Sequence, residues 1–342
     1  MEMFHSSLEG AQHGKKSLID LIKFAKGAGF AGVQPSNFHI QKKDGSFMTA
    51  NEVQSAFARR KMKLDGISGH CPFWVHTTAW TGSKTIRPFV PTHLRSESVE
   101  TIEAWAESYI LALLDLCADL KIKVVPMFWG VAFGWELASG YPWGFFSGED
   151  YDLLQEGKER FVTKTAKIRS HAKSLGISLA HEIHPATAAS CANDFLMLRE
   201  ICDSDTCLGV NADPSHCWEG ESWENRFTKV GEFITGCHAK DHIVRPGLPL
   251  RSMEPNWQKR GMQFTKLGDG GIDLIAYSQL LAQVGYVKRY CALNNTATAP
   301  LVAEAESAVY NLDLVSGNAA GFINDRLCLE YASTTFEEGM GA

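Results

Sequence analysis

Short apolar runs, each closed by a polar loop and followed by a longer amphipathic run, alternate along the 342 residues of the chain. No other feature constrains the fold as much. Consecutive parallel strands need a crossover, and a helix is the usual way to supply it, so strand–helix alternation over a whole chain implies a parallel sheet. Candidate strands lie at 32–35, 64–68, 123–128, 177–183, 207–212, 234–238 and 289–293, with the remains of a first strand at 2–6. Candidate helices lie at 18–27, 99–120, 157–175, 191–202 and 274–284; the second carries Ile102, Trp105, Tyr109, Ile110, Leu113 and Leu116 at helical spacing. About eight such units are expected, and eight close into an α/β (β/α)8 TIM barrel. A doubly wound open sheet is the rival. No GxGxxG follows an early strand, which removes the usual argument for a dinucleotide fold.

The expected organisation is a single TIM-barrel domain over 1–342. Long strand-end loops are expected at 71–91, 130–149 and 241–271, and a packed tail at 326–342. The first two loops are rich in aromatics, among them Trp74, Trp80, Phe133, Trp135, Tyr141 and Trp143. Loops that follow barrel strands rise on the C-terminal face, where barrel enzymes carry their sites. Most of these rings are expected to pack the loops down; a few, with Trp74 and Trp135 foremost, are expected to wall a pocket. The formal net charge of −6 speaks against a nucleic-acid backbone as the main partner. Nine scattered cysteines without a CxxC pair point to a reducing compartment. No stretch resembles a membrane span or a leader, so a cytoplasmic location and no membrane partner are expected.

The chemistry concentrates at the ends of three successive candidate strands. One ends His181-Glu182-Ile183-His184-Pro185, the next Asn211-Ala212-Asp213-Pro214-Ser215-His216, the third His238-Ala239-Lys240-Asp241-His242. A single histidine at a strand end is more often structural than a ligand. Three carboxylate–imidazole clusters at the same end of their strands converge on one axis, and such a donor set suits Mn²⁺, Mg²⁺, Co²⁺ or Zn²⁺. His70, at the end of Ile67-Ser68-Gly69-His70, is a further candidate for the pocket. His5 and Gln34 could face it too, with a structural role as good a reading.

The Glu-Ile-His-Pro, Asn-Ala-Asp-Pro-Ser-His-Cys-Trp-Glu-Gly and His-Ala-Lys-Asp runs resemble the sugar phosphate isomerase/epimerase family with the xylose isomerase-like TIM barrel. One branch of that family acts on 3-keto-glycosides, as in C-glycoside deglycosidase α-subunits. The resemblance implies a divalent metal, manganese first, on Glu182, Asp213 and His238. It makes His216 a substrate-hydroxyl binder or accessory ligand, and puts His184, Lys240 and Asp241 within reach of substrate. It also calls for a fourth carboxylate on strand eight. With that strand at 289–293, the position falls on Ala292. Three explanations compete. A Glu→Ala replacement that traps a ligand is favoured; the others are a natural variant using water or another carboxylate, such as Glu304 or Glu306, and a shift in strand register.

Two carboxylates flanking a metal-bound hydroxy-ketone remove and return the proton beside the carbonyl through a metal-stabilised enediolate. This expectation makes the chain a metal-dependent sugar isomerase or epimerase, with Glu182 as one acid/base and burial raising its pKa. If the enolate carries a leaving group, elimination follows instead, and the protein is a lyase of 3-keto-glycosides with His184 or His70 as base. A non-catalytic sugar-binding barrel is the third reading. A metal-dependent abasic-site endonuclease is disfavoured by the charge. The expected partners are a sugar or keto-glycoside, a second copy of the chain, and in the lyase reading a small second subunit.

Overall fold

The computed structural model describes residues 3–130, 153–218, 220–250, 254, 256–307 and 309–328. Eight parallel strands form one curled sheet: β1 (Phe4–Glu9), β2 (Gly32–Gln34), β3 (Lys63–Leu64), β4 (Val124–Met127), β5 (Ser178–Glu182), β6 (Leu208–Ala212), β7 (Ile234–Ala239) and β10 (Ala299–Ala303). A small antiparallel hairpin, β8 (Asp241–Val244) with β9 (Met262–Thr265), stands apart. The sheet order β3-β2-β1-β10-β7-β6-β5-β4 runs nearly in sequence around the barrel. At the seam between β3 and β4, Gly69 N donates to Pro126 O at 2.8 Å. The helices are α1 (Leu18–Ala28), α2 (Ala50–Ala58), α3 (His70–Thr78), α4 (Val99–Asp119), α5 (Leu153–Leu175), α6 (Ala192–Ile201), α7 (Trp223–Lys229), α8 (Leu274–Gln283), α9 (Tyr286–Asn294) and α10 (Leu312–Phe322). No described helix is long and apolar enough to cross a membrane.

Local chemistry sets the helix ends. Ser17 accepts from Asp20 N at the start of α1, and Thr49 and Glu52 form a capping box on α2. The strands β1, β5, β6, β7 and β10 are buried along their whole length, as expected where helices cover the outside and side chains fill the inside.

Several expectations are corrected. The run at 289–293 is not a strand. Tyr286 and Tyr290, four residues apart, are the buried positions of α9, which Gly285 opens at φ 81°. Ala292 is exposed on that helix. The eighth barrel strand is Ala299–Ala303, pairing in parallel with β1 (Phe4↔Ala299 to Leu8↔Ala303) and with β7 (Val302↔His238). The run at 64–68 pairs continuously only at Lys63–Leu64, with one further bridge between Ser36 and Ser68. Gly66, at φ 113°, interrupts it; a Cβ there would lie 3.3 Å from Val124 O. The expected strand-end segments are present: 71–91 carries most of α3 and short 3₁₀ turns, and the described residues of 241–271 include the β8–β9 hairpin. The loop expectation for 131–149 and the tail beyond residue 328 lie outside the described residues.

His76 on α3 is buried between Trp80 and Trp129, at 6.0 Å from each ring, with neither ring nitrogen partnered. Burial pushes its pKa down to about 4; Glu107 opposes the shift and Lys164 adds to it. The unfolded chain thus binds a proton that the folded one refuses, and stability falls as pH drops from about 6.5 towards 4. His76→Phe is expected to shrink the loss of unfolding free energy between pH 7 and pH 4.5 by about 2–3 kcal/mol in urea titrations. An equal loss in both proteins would contradict this reading of His76.

Candidate metal centre

Parallel strands deliver their C-terminal ends to one mouth of the barrel, and four side chains meet there. Glu182 ends β5, Asp213 follows β6, His238 lies on β7 and Glu304 follows β10. Each offers one ligand atom, and the four atoms lie within 4.8 Å of one another. Glu182, Asp213 and His238 are 2%, 1% and 0% exposed, and the Glu304 side chain 10%.

Hydrogen bonds to their far sides fix these groups. His238 Nε2 meets Gln34 Oε1 at 3.1 Å, and Gln34 donates its amide to Asp65 O. The amide nitrogen being so committed, Oε1 faces the ring and His238 is the donor. Nδ1 faces the cluster, 2.8 Å from Glu304 Oε2 and 3.2 Å from Glu182 Oε2, and against the cost of burial these carboxylates hold the ring's pKa well above its usual value; a metal ion there would displace that proton. A tautomer set from behind is the usual arrangement of a metal-binding histidine. Asp213 Oδ1 accepts from Ser215 N at 2.8 Å, while Oδ2 faces His216 Nε2 at 3.3 Å. Asn211 Nδ2 donates to Glu182 Oε2 at 2.9 Å. Tyr277 bridges the carbonyls of Ala212 and His238 at 2.7 and 3.1 Å. Arg226 ties the strand ends from outside, donating to Ile183 O, His216 O and Ser190 O and pairing with Glu221 at 2.8 Å.

Charge gives the same answer. Three buried carboxylates, Glu182, Asp213 and Glu304, crowd round one buried ammonium, Lys240; against the cost of burial, Asp213 raises the pKa of His216 to about 9, and Glu182 and Glu304 hold His238 well above its usual value, so these imidazoles carry protons where a cation would otherwise sit. Burial alone would raise Glu182, yet hydrogen bonds from His216, His238 and His70 hold it well below the usual carboxylate range. Burial likewise opposes ionisation of Glu304, and Lys240 and His238 hold it low. The raised Glu182 pKa expected from burial is thus reversed: both carboxylates are ionised. Four converging ligand atoms, three of them carboxylate oxygens, fit a divalent cation that would take the place of the imidazole protons.

Around this cluster, Lys240 Nζ lies 2.9 Å from both Glu304 Oε1 and Glu306 Oε2 and 4.2 Å from the Phe264 ring centre. His216 Nε2 lies 3.2 Å from Glu182 Oε1 and 3.3 Å from Asp213 Oδ2. His70 Nε2 lies 3.3 Å from Glu182 Oε2. His184 packs against His216, ring centres 4.0 Å apart. A cavity of about 1100 Å³ opens from here, walled by His70, Phe128, His184 and Lys240 near the cluster and by Phe89, Trp105 and Tyr109 further out.

Other expected site residues fall elsewhere. Ala292 has no part in the cluster; Glu304, one of the alternatives, stands there, because β10 begins ten residues beyond the expected strand. The Asp241 carboxylate is taken up by the backbone: it accepts from the N–H groups of His242, Gly268, Gly270 and Ile272 and anchors that loop. Trp74 packs edge-on against Phe89 at 5.7 Å within a small satellite core and does not line the cavity. Trp135 lies outside the described residues. His5 bonds Asp65 and Thr298, near the start of its strand and away from the mouth. Asn211, Arg226 and Tyr277 went unmarked in the sequence. So did Glu9 of β1, a buried carboxylate that accepts from Ser68 Oγ at 2.7 Å and from Ala11 N.

Residues 22–307 match the xylose isomerase-like TIM barrel family, and the chain belongs to it. No curated protein matches the sequence at a significant level. Among solved structures, the probable 3-DHS dehydratase AsbF from Bacillus anthracis is 17% identical with a TM-score of 0.62, over 94% of this chain and 100% of that one. A xylose isomerase-like TIM barrel protein from Mycobacterium smegmatis in complex with magnesium is 13% identical with a TM-score of 0.61, over 95% and 97%. D-Psicose 3-epimerase with D-tagatose from Clostridium cellulolyticum H10 is 13% identical with a TM-score of 0.58, over 96% and 100%. At these identities the likeness is one of fold.

Asp213→Asn and Glu304→Gln are each expected to lose divalent metal in elemental analysis while keeping the far-UV spectrum of the parent. Ala292→Glu is expected to keep the parent's metal content. Gln34→Leu should weaken metal affinity about 10- to 100-fold. Full metal occupancy in Glu304→Gln would remove that residue from the ligand set.

Proposed function

We propose that the chain is a divalent-metal-dependent sugar isomerase or epimerase that moves the proton on the carbon beside a carbonyl. One observation carries this reading: Glu182 and Glu304, carboxylates at the ends of β5 and β10 that are held ionised, bring ligand atoms within 4.8 Å of each other and of those of Asp213 and His238. Glu182, Asp213, His238 and Glu304 would hold the metal. Three carboxylates and one imidazole make an oxygen-rich set that favours manganese, with magnesium, cobalt and zinc as alternatives. When bound, such an ion polarises a carbonyl oxygen as a Lewis acid.

The remaining work falls to the chain's own side chains. A carboxylate ionised at neutral pH can take the proton, and Glu182, whose Oε1 meets only His216, is placed to do so. Glu304, with Lys240 on its Oε1, would return a proton to the substrate. Return to the other face of the same carbon is epimerisation; return to the neighbouring carbon is isomerisation. Lys240, whose ammonium stays charged against the cost of burial because Glu304 and Glu306 flank it, is placed to donate to a substrate oxygen. His70 and His184 line the same end of the cavity and can bind hydroxyls.

The size of the cavity supports a second reading. Small-molecule sites usually enclose about 300–1,000 Å³, and this one reaches about 1100 Å³ with Trp105, Tyr109 and Phe89 in its outer wall. A glycoside carrying a bulky aglycone would use that space, and elimination from a 3-keto-glycoside begins with the same proton removal. His184 or His70 would then serve as base.

Solvent deuterium exchange separates these readings. Incubation in D₂O with manganese is expected to label free ketoses such as D-tagatose or D-psicose beside the carbonyl, and Glu182→Gln and Glu304→Gln should each slow labelling by about 10²- to 10⁴-fold. Labelling of a 3-keto-glucoside with aglycone release, and none of a free ketose, would favour the lyase. No exchange into any of these by the metal-loaded protein would overturn the enzyme reading.

A further inference from the structure

We infer that Glu306 and Lys240 form a subsite that reads two neighbouring oxygens of the substrate, Lys240 donating to one and Glu306 accepting from the hydroxyl next to it. The inference rests on the isomerase or epimerase reading above and deepens it: the substrate class is an uncharged ketose with hydroxyls on adjacent carbons, and Glu306 is the residue that selects it.

Glu304 and Glu306 follow β10, and both turn to the Lys240 ammonium, each 2.9 Å from Nζ. They differ in what is left over. Glu304 Oε1 also accepts from Gln12 Nε2 at 3.1 Å, and its Oε2 lies 2.8 Å from His238 Nδ1, so both of its oxygens are engaged. Glu306 commits Oε2 to Lys240, and among the described residues Oε1 has no partner. The Glu306 side chain is 31% exposed, against 3% for Lys240, and both line the cavity beside the metal cluster. Neutralising Lys240 requires no open oxygen, and Glu304 already does it. The open Oε1 is therefore an acceptor offered to the cavity.

The pair is held in place. Glu304 N donates to Ala239 O on one side of Glu306, and Ser307 Oγ accepts from Val309 N and Tyr310 N on the other. An ammonium has three hydrogens. Two meet the carboxylates, and the Phe264 ring, 4.2 Å from Nζ, closes a further side, so the amine does not turn freely and one hydrogen remains for a ligand. Donor and acceptor thus stand side by side, as adjacent oxygens of a sugar require. Two carboxylates flanking one ammonium also repel an acidic or phosphorylated group at this place.

The test compares dissociation constants of D-tagatose and its monodeoxy analogues, by calorimetric titration of the whole manganese-loaded protein. Wild type, Glu306→Gln and Glu306→Ala are used, each checked for the wild-type melting curve and metal content. In wild type, one analogue is expected to bind about 10- to 100-fold more weakly than D-tagatose through loss of a hydrogen bond to a charged group. Glu306→Gln keeps an uncharged acceptor and should reduce that penalty to about 2- to 10-fold. Glu306→Ala should abolish it, so that this analogue and D-tagatose bind alike. If every analogue carries the same penalty in all three proteins, Glu306 reads no hydroxyl and the subsite is overturned, while binding of D-tagatose leaves the wider reading standing. No binding of D-tagatose by the metal-loaded wild type would overturn both.

Discussion

The mouth of this barrel is organised around a buried cluster of carboxylates. Glu182, Asp213 and Glu304 lie close together out of water, with Lys240 and the imidazoles of His216 and His238 as their counter-charges among the described residues. Taking carboxylates out of water costs several kcal/mol each unless they are paired. A site that keeps them ionised needs positive charge at hand, which the imidazoles supply as protons and a divalent cation could supply in their place. Imidazoles crowd round Glu182, and Lys240 bridges Glu304 and Glu306.

Keeping like charges close requires a rigid frame, and the structure supplies it from behind. Parallel strands paired in fixed register set where each residue emerges. Tyr277 holds the β6 and β7 ends together, Arg226 holds the segments after β5 and β6, and the hydrogen bond to Gln34 sets the His238 tautomer. These contacts come from α7, α8 and β2, far away in sequence, and none touches a reacting atom. They convert an electrostatic conflict into a defined site.

Much of this was legible in the sequence, for definite physical reasons. Buried parallel strands are continuous apolar runs, so β4 to β7 stand out, and the polar clusters that end them mark the mouth. Strand eight did not stand out. Its Ala-Pro-Leu-Val-Ala run is short and contains a proline, whereas the aromatic-rich 286–294 run beside it looked more like a strand, though its buried tyrosines follow helical spacing. That error displaced the fourth carboxylate from Glu304 to Ala292. Supporting residues were harder still. Gln34, at the end of its strand, was a candidate for the pocket, and it reaches the site through His238. Nothing local distinguishes Tyr277 or Arg226 from any other buried polar residue, because their roles depend on which distant atoms the barrel brings to them. Asp241 shows the converse: a carboxylate beside a ligand strand looked like part of the site, yet four backbone N–H groups occupy it.

The central claim is that four side chains brought together by the barrel hold one divalent cation. Anomalous diffraction from crystals grown with manganese tests it most directly. The account predicts a peak enclosed by Glu182, Asp213, His238 and Glu304, lost in Asp213→Asn. A fully ordered mouth with no peak among those four residues, or a peak only at some other place on the chain, would contradict it.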